Sequence, residues 1–303
     1  MIEVIKNTKI DFMGKRKVAL AVSSVFIVLG LIAIIQVARG AANLGIDFAG
    51  GTSVQIKFNT PVKLQDVRQT LTDSAIEDFD LQDLPTENKV LIRIKKKEQT
   101  LGELSKKIIA SLSDKYGEDN VVVDSTTEIG PKVGSRLRKD ALWAIMAAII
   151  GILIYVTFRF QFRFGVGATV ATFHDVLAVL TIFFLMGKEI NLILVSALLM
   201  IAGYSLTDTV VVYDRIRENM RTKYKKNTID LVNQSLNEVL SRTIITSLTT
   251  FFAAFTLYLF GGEVIHEFAF AIMLGIIIGT YSSMFVATPI VLLMGEEKTF
   301  SKK

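Results

Sequence analysis

Six long apolar runs separate the charged segments of this 303-residue chain, and they constrain its fold more than any other feature. A helix needs about 20 predominantly apolar residues to cross the hydrocarbon core of a bilayer. The stretches of this kind are Val18–Ala38, Ala141–Phe158, Gly165–Met186, Leu192–Tyr213, Ile244–Phe260 and Phe268–Met294. The sequence therefore predicts a multi-pass α-helical membrane protein with six transmembrane helices.

The first run, Val18–Ala38, follows several basic residues, as the apolar core of a secretory signal peptide does. It is too long for such a core, and Val37-Ala38-Arg39 is a poor cleavage site. We therefore expect a retained first transmembrane helix.

The basic residues of the connections predict the orientation of the helices, because Lys and Arg accumulate in short cytoplasmic loops. With six spans, the clusters fall on one side of the membrane, whereas the connections 187–190 and 261–267 contain only Lys188. The clustered residues are Lys6, Lys9, Lys15, Arg16, Lys17, Arg159, Arg163, Arg215, Arg217, Arg221, Lys223, Lys225, Lys226, Arg242, Lys298, Lys302 and Lys303. Both termini are therefore expected in the cytoplasm. The net charge of +5 reflects this topology, and no nucleic-acid partner is needed to explain it.

This topology divides the chain into six transmembrane helices, one large extracytoplasmic domain and three cytoplasmic parts. The expected divisions are a cytoplasmic segment 1–17, the first span 18–38, the extracytoplasmic domain 39–140, a five-helix part 141–294 with a cytoplasmic loop 214–243, and a cytoplasmic tail 295–303.

Within the extracytoplasmic domain the apolar pattern changes period. Alternating apolar residues predict strands, and apolar residues spaced by three and four predict helices. The predicted order is strand Thr52–Phe58, helix Pro61–Asp73, strand Glu77–Leu84, a turn at Pro85–Asn88, strand Asn88–Lys95, helix Leu101–Tyr116 and strand Val121–Ile129. This βαββαβ order is the ferredoxin-like α+β arrangement, which serves many functions.

The domain offers no Ser/His/Asp set, no cluster with metal-ligand spacing and no phosphate-binding loop. The chain also lacks cysteine, which excludes disulfides, thiolate metal sites and cysteine nucleophiles. We therefore expect no enzyme activity, no metal and no organic cofactor. The domain is expected to contact a partner protein or a passing polypeptide.

The segment Gly45-Ile46-Asp47-Phe48-Ala49-Gly50-Gly51 joins the first helix to the first strand. Gly45, Gly50 and Gly51 permit a positive φ, and Asp47 is expected to bond nearby backbone, which together predict a tight turn. A glycine-rich phosphate cradle would need a following helix, whereas a strand follows here.

Ionisable residues inside the spans are functional candidates by default, because an aspartate at a helix centre costs about 2.5–3.5 kcal/mol on insertion scales. Asp208 lies five residues before the cytoplasmic end of the fourth span, roughly 7–8 Å deep. Arg242, at the start of the fifth span, could extend inward to Asp208 or outward as a positive anchor. His174 and Asp175, near the middle of the third span, fit either a proton pathway or a packing hydrogen bond.

Three further patterns concern helix packing. Gly275 and Gly279 form a small-xxx-small pattern that favours close approach of another helix. Pro289 is expected to bend or end the sixth helix. The amphipathic segment Thr228–Leu240 predicts a helix lying along the cytoplasmic surface, with a docking site as the alternative.

Three stretches of the chain resemble the SecF family, the smaller membrane subunits of the bacterial SecD–SecF accessory complex of protein export. They are Gly45–Gly51 (GIDFAGG), Phe158–Val176 (FRFQFRFGVGATVATFHDV) and Ala202–Asn219 (AGYSLTDTVVVYDRIREN), with Ser241–Thr250 (SRTIITSLTT) in addition. The resemblance covers essentially the whole chain, although the extracytoplasmic domain matches in size and position only.

The resemblance implies a function in which SecD and SecF use the proton-motive force to pull a polypeptide out of the SecYEG channel. Relatives belong to the resistance-nodulation-division (RND) superfamily, whose six-helix halves pair, so SecD would be an obligate partner in the bacterial cytoplasmic (inner) membrane, in contact with lipid. Asp208 then matches the aspartate of the proton pathway, and Arg242 matches the arginine that faces it. Protons would be the coupling ion.

Two other functions stay open on the sequence. An RND-type small-molecule or lipid exporter half would have a substrate-lined pocket in the outside region. A passive scaffold that stabilises SecD would carry no protons, and its Asp208 variants would stay active. A membrane enzyme is disfavoured, because no nucleophile–base or metal set is present.

Overall fold

The computed structural model describes residues 8–84, 88–95, 102–222 and 227–294. Several sequence expectations lie outside these residues: most of the turn before the third strand, Leu101, Lys6, Lys223, Lys225, Lys226, and the tail with Lys298, Lys302 and Lys303. The chain divides into two compact units. The helical unit comprises the described parts of Met1–Gln36, Trp143–Lys188 and Ile193–Lys303, and the α+β unit comprises the described parts of Val37–Leu142 with Glu189–Leu192.

The helices and strands follow one another largely in the predicted order. They are α1 Arg16–Arg39, α2 Ile46–Ala49, β1 Gly51–Phe58, α3 Leu64–Asp73, β2 Phe79–Leu84, β3 Lys89–Lys95, α4 Glu103–Tyr116, β4 Val121–Ile129, α5 Pro131–Arg159, α6 Phe162–Leu185, α7 Leu192–Thr222, α8 Thr228–Phe260, α9 Gly262–Ser282 and α10 Thr288–Leu293. A π-helical turn, Ser283–Ala287, joins α9 to α10.

The described residues contain six helices that are long and apolar enough to cross a membrane, which confirms the predicted number. They are α1, α5, α6, α7, α8 and the continuous stretch formed by α9 and α10. Helix α6 is the most enclosed of them, whereas α1, α5 and α8 leave most of their apolar side chains on the outside of the chain. These exposed faces are suited to lipid or to another apolar helix.

The separate surface helix expected over Thr228–Leu240 is wrong, because these residues form the first part of the continuous helix α8. Their apolar side chains do not need a membrane surface. Val232 and Leu236 are buried in the same core cluster as Tyr213 of α7. Burial against the protein explains the amphipathic pattern, and an unbroken helix keeps its backbone hydrogen bonds.

The glycine pattern of the sixth span serves packing inside the chain. A Cβ atom on Gly275 would lie 2.3 Å from the Ile201 side chain, and one on Gly279 would lie 3.1 Å from Ser205. Helix α9 therefore approaches α7 closely along this stripe. Pro289 stands at the start of α10, directly after the π-helical turn, so the helix changes its hydrogen-bonding pattern there without ending.

The α+β unit contains a four-stranded sheet of order β2-β3-β1-β4 in which all neighbours are antiparallel. Val54 and Ile56 of β1 pack in one core with Leu71 of α3 and Leu112 of α4. The predicted βαββαβ order and ferredoxin-like topology are confirmed. The strand ends agree within two residues, as alternation of apolar side chains defines them well.

Candidate functional site

Asp208 lies on α7 inside the helical unit, with 5% of its surface exposed. Its only hydrogen-bond partner among the described residues is the hydroxyl of Ser247 on α8, at 3.5 Å. The same hydroxyl lies 2.7 Å from that of Thr280 on α9. One long hydrogen bond compensates an ionised carboxylate poorly, because a buried charge normally needs a counterion or several donors. Asp208 is therefore a buried acid with little local stabilisation of its charge.

Arg242 is exposed and forms no ion pair with Asp208 or any other described residue, although it is near enough for its charge to act on Asp208. The helical register explains the gap. Arg215 of α7 contacts Glu238 of α8. Asp208 precedes Arg215 by seven residues, whereas Arg242 follows Glu238 by only four. At 1.5 Å per residue, Arg242 lies about 4–5 Å nearer the C-terminal end of α7 than Asp208 does. The two residues are neighbours that do not touch in this conformation.

His174 and Asp175 form a separate polar cluster with better partners. Asp175 is completely buried, and its carboxylate accepts hydrogen bonds from Ser205 of α7 at 2.5 Å and Ser282 of α9 at 2.8 Å. His174 Nδ1 lies 3.0 Å from the other carboxylate oxygen, while its Nε2 is buried without a partner among the described residues. Asp175 thus ties α6 to α7 and α9.

The serine and threonine side chains that line both acids were not singled out in the sequence. Ser205 is three residues from Asp208, and Ser282 is two residues from Thr280. Asp175 takes its hydroxyl partners from α7 and α9, whereas Asp208 takes its partner from α8, through a serine that in turn contacts Thr280 of α9. The sequence shows many Ser and Thr residues within its apolar spans. Only the packing of the helices determines which of them contact the buried acids.

A third polar cluster joins the C-terminal part of α7 to the N-terminal part of α8. The Glu238 carboxylate accepts hydrogen bonds from Arg215 Nε and Asn219 Nδ2, each at 2.7 Å, and from Gln234 at 2.6 Å. Asn219 is buried and also donates to Ser235 of α8. Sequence reasoning counted Arg215 only as a topological charge, because nothing local indicates which carboxylate it meets.

The glycine-rich turn lies within the α+β unit. Gly50 and Gly51 have φ values of +79° and +152°, and a Cβ atom on Gly51 would lie 2.3 Å from the carbonyl oxygen of Ile94. Asp47 was expected to bond nearby backbone, but it accepts the N–H of Leu192, 145 residues later, at 3.1 Å. The Gly45 N–H donates to the carbonyl of Ile190. The turn therefore holds the segment that leads into α7.

No group of three or more His, Asp or Glu side chains placed to hold a metal occurs in the described part of the chain. Asp175 contacts two hydroxyls and an imidazole, and Asp208 contacts one hydroxyl. These groups can accept, donate or stabilise a proton.

Two family models match the chain. The model of the C-terminal part of the protein export membrane proteins SecD and SecF matches residues 108–297, more than half of the chain. The model of the SecD/SecF GG motif matches residues 42–62, which contain the glycine-rich turn.

Relatives and solved structures are consistent with these matches. The protein translocase subunit SecF of Thermodesulfovibrio yellowstonii is 55% identical over all of both chains. That of Calditerrivibrio nitroreducens is 46% identical over 97% of each chain. The crystal structure of SecDF from Thermus, a translocon-associated membrane protein, is 31% identical and superposes with a TM-score of 0.80 over 95% of this chain. The chain spans 39% of that longer SecDF chain.

Proposed function

This chain belongs to the SecD/SecF family of protein export membrane proteins, and we propose that it uses the proton-motive force to help complete polypeptide translocation. It would act with a SecD partner at the SecYEG channel of the bacterial cytoplasmic membrane. Both termini would lie in the cytoplasm and the α+β unit outside. Protons would be the coupling ion, and the chain would perform transport without enzymatic catalysis.

The observation that carries the proposal is the contrast between the two buried acids. Asp175 has three polar partners, two of which are hydroxyls at 2.8 Å or less. Asp208 has one hydroxyl at 3.5 Å and an arginine that does not reach it. A charge with weak local compensation changes its interactions most when a proton neutralises it. Asp208 is therefore the better candidate for a proton-coupled switch.

In the proposed cycle, charged Asp208 attracts Arg242, and protonation removes this attraction. Because the two residues stand on α7 and α8, the relative position of these helices would depend on the protonation state. The membrane potential supplies about 2.3 kcal/mol per charge per 100 mV, which is enough to bias two conformations that differ by a few kcal/mol. The change would be passed on to the α+β unit, which would contact the emerging polypeptide.

The test compares wild type with Asp208→Asn in vesicles that contain the chain, its SecD partner and the SecYEG channel at equal complex abundance. We expect Asp208→Asn to lose the gradient-dependent part of translocation and to keep the gradient-independent part. Ser247→Ala is the matched control, since it removes the hydroxyl of the site and leaves the titrating acid. Equal gradient-dependent translocation by wild type and Asp208→Asn would show that the chain is a scaffold.

A further inference from the structure

Residues 10–14 form an irregular segment that two asparagines of α8 hold along its backbone. Asn237 accepts the N–H of Ile10 at 2.9 Å and donates to the Ile10 carbonyl, also at 2.9 Å. Asn233 accepts the N–H of Met13 at 3.0 Å and donates to the Asp11 carboxylate at 2.8 Å. The asparagines are one helical turn apart, so both side chains point to the same side of α8. We call this arrangement the clasp.

The clasp also fixes two apolar side chains in the core of the helical unit. Phe12 and Met13 are 3% and 1% exposed. The Phe12 ring packs against Phe285 with ring centres 5.4 Å apart, and Phe285 belongs to the π-helical turn after α9. The clasp therefore connects the cytoplasmic part of α8 to the place where the last span changes its helical geometry.

On the side of α8 away from the clasp, the helix contacts α7. Ser235 and Glu238 both contact Asn219 of α7. At 100° per residue, Asn233 lies about 160° around the helix from Ser235, and Asn237 lies about 100° around it from Glu238. Arg242, seven residues after Ser235 and four after Glu238, has an angular position between them. Hence α8 is held on two sides in the turns just before Arg242, and Arg242 stands on the side of α7.

We infer that Asn233 and Asn237 are positioning residues for Arg242: by clasping residues 10–14 they fix the rotation of α8 that keeps Arg242 on the α7 side, near Asp208. This inference rests on the proposed proton coupling, to which it adds two residues that touch neither member of the coupling pair. Helix α8 also packs along α9, and the clasp adds hydrogen bonds on the side away from α7 that oppose rotation of its first turns.

The experiment uses the absence of cysteine from the chain, which makes an introduced thiol unique in it. Two proteins are compared. The first carries Met13→Cys alone, and the second carries Met13→Cys together with Asn233→Ala and Asn237→Ala. Labelling of the introduced thiol by a maleimide is measured in membrane vesicles that contain the SecD partner. We expect protection in the first protein and ready labelling in the second. Unchanged protection would overturn the role of the asparagines in the clasp.

The functional arm measures gradient-dependent translocation by the double asparagine variant at equal complex abundance. We expect a severalfold increase in the gradient needed for half-maximal rate, with gradient-independent translocation retained. Asn227→Ala is the control, because it removes the amide that caps the start of the same helix without touching the clasp. Increased Met13→Cys labelling with an unchanged gradient requirement, or the same change in Asn227→Ala, would overturn the positioning role.

Asp208→Asn is assayed beside these variants, so that the two hypotheses can fail separately. If Asp208→Asn keeps its gradient-dependent translocation, the proposed proton coupling is wrong, and the positioning role falls with it. If Asp208→Asn loses this step while the asparagine variant keeps a normal gradient requirement, only the positioning role is wrong.

Discussion

Asp47 accepts a hydrogen bond from the backbone N–H of Leu192, the first residue of α7, although 145 residues separate them. The first N–H groups of a helix have no partner within it, and a carboxylate at this end also interacts favourably with the helix dipole. Asp47 thus serves as an N-terminal cap supplied by a distant part of the chain.

Replacing Asp47 by Ala is expected to destabilise the α+β unit by about 1 kcal/mol, the usual effect of losing a helix cap. Asp47→Asn keeps an oxygen acceptor and should lose less. Thermal unfolding of the purified protein, followed by circular dichroism, measures both. Equal loss by the two substitutions would mean that the charge matters and the hydrogen bond does not.

Gly51→Ala is expected to reduce the amount of folded protein strongly, because its Cβ atom would lie 2.3 Å from the Ile94 carbonyl oxygen, where β1 pairs with β3. Gly117→Ala separates the effect of a steric clash from the effect of a positive φ. Gly117 also has a positive φ, +87°, but nothing lies within 4 Å of the added atom. Its substitution should cost only the strain of a sparsely populated backbone conformation, roughly 1–3 kcal/mol. Protease resistance of the two variants in membranes measures the difference, and equal resistance would refute a steric cause.

Gly275→Ala is expected to destabilise the helical unit by roughly 1–3 kcal/mol, because the methyl group would overlap Ile201 of α7. Gly203→Ala is the matched control on α7. Nothing lies within 4 Å of its added atom, and alanine favours helix by about 1 kcal/mol over glycine. Unfolding in a denaturing detergent should therefore shift in opposite directions for the two variants. A stabilising Gly275→Ala would contradict the close contact of α9 with α7.

Asp175→Ala is expected to reduce folded protein more than Asp175→Asn. Alanine leaves the hydroxyl of Ser205 without its acceptor, and an unsatisfied buried group costs about 1–3 kcal/mol, whereas Ser282 keeps the Gly279 carbonyl at 3.1 Å. Asparagine keeps one oxygen. Complex abundance measured by quantitative blotting tests this ranking. Normal abundance of both variants with lost gradient-dependent translocation would instead place Asp175 in the proton pathway.

The sequence predicted those parts of the structure that a local pattern defines. The spans follow from continuous apolar runs, and the strands follow from alternation such as Val54, Ile56 and Phe58. Asp208 was identified because water cannot compensate a charge inside a span. The positive φ of Gly50 and Gly51 was expected from residue type alone, but Gly45, for which the same freedom was invoked, has a φ of −67°.

Contacts between distant segments could not be predicted in the same way. Nothing around Asp47 indicates Leu192, and nothing around Glu238 indicates Arg215 and Asn219. The amphipathic pattern of Thr228–Leu240 shows that one side is buried without showing whether lipid or protein buries it. Arg242 could be drawn toward or away from Asp208, because its position depends on the register between two helices.

Asp11 makes the clasp dependent on pH only under acidic conditions. The N–H of Gly14 and the amide of Asn233 donate hydrogen bonds to its carboxylate, and they lower the pKa of Asp11 below its ordinary value of 3.8. A group with a lowered folded-state pKa stabilises the fold above its unfolded pKa and loses this contribution as pH falls through the folded-state value. The clasp should therefore be unaffected between neutral pH and about pH 5, and weaken below about pH 4.

A spin label on Lys9→Cys, attached at neutral pH, can test this dependence by paramagnetic resonance. Its mobility should stay constant from neutral pH down to about pH 5 and rise below about pH 4. In Asp11→Asn, which cannot ionise at this position, the acid-dependent rise should disappear. A change in mobility centred near neutral pH, or one that persists in Asp11→Asn, would show that another group controls the segment.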